Sequence, residues 1–224
     1  MKKILFLFLL FPLILLSQSD FEKGEALFRE EKFEQAQVVF QNFLSSNPSN
    51  LKTIEYLGDL AFRFKSWDKA IGYFKKLKQL KPTEANYFYK YGGALGLKAN
   101  EVNKFKALGM IGEIKESFEK AIILNPKHIE ARWALVTLYL KLPAIIGGSE
   151  SKAVQYSNEL LKLSPVDGYL SKGQINEHFG KYTLAEEQYK KGIAAGSVKK
   201  GSQMLINLYK NKMNQPEKAS KIKI

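Results

Sequence analysis

Among the residue types that most often carry chemistry, this 224-residue chain has two histidines, three arginines and no cysteine. The missing thiol removes disulfides, zinc–thiolate centres and thiol nucleophiles together. His128 and His178 stand alone, outside any HExxH spacing, so no histidine metal centre is expected. His128 follows Pro126 at an expected helix start and reads as a surface residue. The adjacent acids Glu30–Glu31 and Glu186–Glu187 do not make a paired-carboxylate site, because neighbours on a helix point about 100° apart. No GxxxxGK[ST], GxSxG or GxGxxG motif is present. Gly92–Gly93 and Gly147–Gly148 lack a lysine at phosphate-loop spacing. The reading is of a protein that is not an enzyme and takes no metal or cofactor.

The charge balance says more about partners. Lys and Arg total 35 against 22 Asp and Glu, a formal charge of +13. That excess favours acidic partners in general. Yet the only arginines are Arg29, Arg63 and Arg132, and specific phosphate and base readers depend on arginine forks. Nucleic acid is therefore not expected as a partner. Peripheral contact of the lysines with a membrane surface stays among the expectations.

The elements that would position these residues repeat at a fixed interval. Gly24, Ala36, Phe40 and Pro48 recur 34 residues later as Gly58, Ala70, Phe74 and Pro82. A period near 34 marks helix–turn–helix repeats. Within each unit the apolar residues fall three and four apart, as a buried helix face requires, and proline closes the second helix. A small residue is expected where paired helices cross closely. The aromatic should fill the space between the pair and the next helix. Tyr169, Gly173, Ala185 and Tyr189 restore the pattern later in the chain.

Two units are interrupted. Ten extra residues lie around Gly96–Gly112, either as added helix or as a loop, and Ile114 stands where the motif has alanine. Five more fall in Leu142–Gly148, where Pro143 ends a helix and Ser149 can cap the next.

These residues resemble the tetratricopeptide-repeat family. The Pro…Gly-Gly insertion is similar to that of a bacterial exported subgroup. The resemblance implies an all-α, right-handed superhelical solenoid of antiparallel helix pairs, with about five repeats and a C-terminal capping helix. The repeats run over about 20–50, 51–84, 85–128, 129–165 and 166–199, with a partial unit at 200–224. It also implies a concave face lined by the first helix of each pair. The candidate contacts there are Phe28, Arg29, Lys52, Asp59, Phe62, Arg63, Tyr89, Trp133 and Lys141. Phe62, Tyr89 and Trp133 would be the anchors, and ordinary packing between repeats is the alternative role for them. Ile145 and Ile146 in the second insertion either make an exposed contact or tuck over a repeat junction.

Residues 1–19 read as a secretory signal peptide. Lys2 and Lys3 precede the apolar run Ile4–Leu16, and a small polar segment follows, with cleavage expected after Ser17 or Ser19. The expected function is an exported, most simply periplasmic, scaffold that binds a protein or peptide. The alternative is a transport-associated accessory in which the two insertions enclose a small ligand.

Overall fold

The computed structural model describes residues 20–223, and the proposed signal peptide lies outside the described residues. Those residues are helical, with no strand among them. The helices are α1 (20–29), α2 (Phe33–Ser46), α3 (Leu51–Arg63), α4 (Trp67–Leu80), α5 (Ala85–Ala99), α6 (Lys104–Leu124), α7 (Ile129–Lys141), α8 (Glu150–Leu163), α9 (Pro165–His178), α10 (Tyr182–Ala194), α11 (Val198–Asn211) and α12 (Pro216–Ser220). They fall into two compact units, one up to Met110 and the other from Ile111. In the first, α2, α3, α4 and α5 pack in succession; in the second, α7 to α12 do so.

The glycine–aromatic rule of the sequence becomes a physical contact. A Cβ built on Gly24 would lie 2.6 Å from the ring of Phe40, on Gly58 2.5 Å from Phe74, and on Gly173 2.3 Å from Tyr189. In all three pairs the ring of the second helix lies directly on the bare backbone of the first. Phe40 also stacks at 4.7 Å on Tyr56 of the following helix, which satisfies the expected gap-filling role as well. Ala36, Ala70 and Ala185 are fully buried on the second helices of these pairs, and Ala153 is fully buried on α8.

The two insertions resolve differently. The first lengthens α6 to 21 residues, and Ile114 is buried on it. The second makes a single 3-10 turn, Ala144–Ile146, closed by Gly147 at a left-handed φ of 102°. Ser149 caps α8 by accepting the Lys152 N–H. Ser164 ends α8 and also caps α9, with Pro165 at the first helical position, where its missing N–H costs nothing. At this tight junction Gly168 lies against Leu161, and Ser157 and Ser171 meet as buried hydroxyls 2.7 Å apart. Ser171 donates its hydrogen to the Gly168 carbonyl.

His128 corrects the expectation of a surface histidine. It is 7% exposed, and its Nδ1 accepts the Ala131 N–H at 3.4 Å as the cap of α7. Buried Arg132 packs beside it, donating to the His128 carbonyl and to Glu159 at 2.9 Å.

Candidate partner-binding faces

In the first unit, side chains of α1, α3 and α5 meet at repeat spacing. The Tyr56 hydroxyl donates to Glu25 across 31 residues of sequence, at 3.0 Å. Lys90 donates to Glu55 at 2.7 Å and to both oxygens of Asp59 at 2.8 and 2.7 Å. One ammonium thus holds two carboxylates, and all three groups are only partly exposed. Burial raises the Asp59 carboxyl above its ordinary range; Lys90 opposes this and Glu55 adds to it. The Tyr87 phenol is pushed up to about 12 by burial and by the nearby Glu55 and Glu84 charges.

The expected contacts of this unit divide into two kinds. Phe28 is half-buried and packs against Phe33 and Tyr56, with ring centroids at 5.5 and 4.9 Å. The Arg63 guanidinium covers the Phe33 ring at 3.8 Å and joins the first two repeats. Phe62 is half-buried, edge-on to Trp67 at 5.3 Å. Tyr89 and Asp59 are half-buried, while Arg29 and Lys52 are exposed.

In the second unit, α7, α9 and α11 bring Trp133, Asp167 and Lys200 together. The indole N–H of Trp133 donates to Asp167 at 2.7 Å, across 34 residues of sequence. The other Asp167 oxygen accepts from Ser164 at 2.6 Å. The Lys200 ammonium sits 4.1 Å from the centroid of the indole ring. Trp133 also packs against the core around Leu170 and Leu205. It therefore packs within the unit as well as donating to Asp167. Lys141 is exposed at the end of the same helix. In the α7–α8 turn Ile145 is 94% exposed and so does not tuck over a repeat junction, while Ile146 is half-buried.

Sequence positions taken from the family pattern missed Tyr56, Lys90, Asp167 and Lys200. The signal for the first three was present: each lies 31 to 35 residues from the group it meets in the preceding first helix, whereas Lys200 meets Trp133 from two first helices on. The carboxylates of these faces already accept from tyrosine, lysine, serine or indole donors, and no nucleophile is paired with a base among the contacts described.

A family model described as tetratricopeptide repeat matches residues 21–85. Comparison with curated proteins gives no match. Among solved structures, PilW, a widely conserved type IV pilus biogenesis factor, is 18% identical with a TM-score of 0.69, over 92% of this chain and 90% of that one. A thermophilic tetratricopeptide-repeat protein of Thermus thermophilus is 15% identical with a TM-score of 0.67, over 87% of this chain and 97% of that one. YrrB, a repeat protein with an unusual peptide-binding site, is 16% identical with a TM-score of 0.58, over 85% of this chain and 90% of that one. At such identities the likeness is one of fold. Residues 21–85 match the tetratricopeptide repeat outright, and the helix pairs beyond them share the fold of the solved repeat structures.

Proposed function

We propose that this protein is an exported, non-enzymatic scaffold that binds a protein or peptide segment on the faces formed by the first helices of its repeats. The observation that carries the reading is the Trp133–Asp167–Lys200 cluster. Three successive first helices there place an aromatic, an acid and a base at one partly exposed spot. Such a spot suits a mixed-polarity peptide with an apolar anchor better than a polyanion. The peptide-binding site named for YrrB supports the same use of the fold. The most exposed large apolar side chains of the two insertions, Phe105 and Ile145, are 89% and 94% exposed, which disfavours the enclosed-ligand alternative.

The test begins with affinity capture of the protein from an envelope extract of its host, eluted in salt steps. The captured partner is then titrated against Trp133→Ala and Phe62→Ala. Each should weaken binding about tenfold or more, as loss of an anchor costing above roughly 1.4 kcal/mol would do, with helicity unchanged. Full affinity in both variants would sink the proposed faces. Export is tested separately: the N-terminal residue of the protein recovered from its host should be Gln18 or Asp20.

A further inference from the structure

The start of α6 presents an apolar surface that the peptide-binding reading leaves unused. Phe105 is 89% exposed and Leu108, one turn on, is 48% exposed. Exposed large apolar side chains grouped on one helix face mark contact surfaces more often than scattered ones do. Lys104 and Lys106 flank the phenylalanine and are exposed as well. No acidic residue occurs from Val102 to Gly112, in a chain that already carries a charge of +13.

The position of these lysines is informative. The first turn of a helix carries partial positive charge and favours acids. The first turn of α6 holds no acid and two lysines, so the helix's own field disfavours the arrangement. An external surface of negative charge removes that conflict. A single projecting ring between two cations, exposed on its helix, matches no peptide anchor pocket. It matches the boundary between headgroups and acyl chains, where aromatic rings enter and flanking lysines reach phosphates.

We infer that the N-terminal turns of α6, through Phe105 and Leu108 with Lys104 and Lys106, dock on an anionic lipid bilayer surface. The contact is peripheral: among the described residues no helix is long and apolar enough to cross a membrane. It is independent of the peptide-binding faces, which lie on other side chains.

The absence of cysteine makes the test direct. The full chain with Leu108→Cys, labelled with an environment-sensitive fluorophore, is mixed with vesicles of phosphatidylcholine containing about one-third phosphatidylglycerol. The same label at exposed Gln79 of α4 reports generic tethering, including any by the N-terminal apolar run. The expected result is a blue shift with a several-fold rise in emission at position 108 only, on anionic vesicles only. Lys104→Glu with Lys106→Glu should abolish it. An unchanged spectrum at position 108, or an equal shift on pure phosphatidylcholine, overturns the inference. So does a shift that appears without vesicles and grows with protein concentration, which would make the surface an interface between two copies of the chain.

Discussion

His128 shows how one side chain can couple a helix start to pH. Burial lowers its pKa below the ordinary histidine value of 6.5, outweighing the nearby Glu130, so the ring is neutral when it caps α7. Protonation turns Nδ1 from acceptor to donor and moves its bond from the Ala131 N–H to Glu130, 3.1 Å away. Because the folded pKa lies below the unfolded one, the unfolded chain takes up the proton first as pH falls. The cap's contribution is therefore complete above about pH 6.5 and is lost below it. Denaturant unfolding at pH 7.5 and 5 should show His128→Asn losing about 1 kcal/mol less than the native chain over that interval, since asparagine caps without titrating. Equal losses would mean the ring does not act as the cap. The sequence hid this role because proline two residues earlier signals a helix start without saying which side chain faces inward. Trp133 was named from the family pattern, and Asp167 lies one repeat period from it. Lys200 reaches it only through the stacking of three repeats, and no local pattern records that.

At the scale of the helix, glycines with opposite surroundings make a sharp contrast. Gly58 lies under the Phe74 ring, itself 1% exposed, whereas a Cβ on Gly109 of α6 would meet nothing within 4 Å. Gly58→Ala should therefore destabilise the protein by about 1–3 kcal/mol through overpacking. Gly109→Ala should stabilise it by about 0.5–1 kcal/mol through helix propensity alone. Chemical denaturation of the two variants decides the matter, and loss of stability in both would show that Gly109 is not in open space. The recurrence of Gly24 and Phe40 at Gly58 and Phe74 was readable because this contact is made within one pair, sixteen residues apart. The fate of the extra residues after Gly96 was not. KFKALGMIG carries apolar and basic residues compatible with either loop or helix, and its realisation as the start of a 21-residue α6 leaves Phe105 in solvent.

Over the whole molecule, stability in a repeat array is close to a sum of unit and neighbour terms. The short α12 supplies one such term: Ala219 is buried, and Met213 and Ile222 pack with it against Leu205, Leu208 and Tyr209. Deleting residues 213–224 should cost about 2–3 kcal/mol from uncovered apolar surface. Hydrogen exchange should accelerate most in α11, less in α10, and little in α7. Uniform acceleration through the second unit would instead mean that it unfolds as a single block. This covering role was legible in the sequence, because Ala219 keeps the motif spacing of twelve from Asn207 even where the second helix shrinks to five residues.

The hydroxyl pair between α8 and α9 carries a consequence for how the sequence can drift. Ser171 gives its only hydrogen to the Gly168 carbonyl, so in the 2.7 Å contact it must accept from Ser157. Alanine at 171 alone would strand the Ser157 hydrogen inside a crossing too tight, beside Gly168 and Leu161, for water to replace the lost partner. Alanine at both would leave only a small apolar contact. The two positions are thus linked in inheritance as they are in space, with the change at 157 the tolerable first step and the change at 171 the one that must follow.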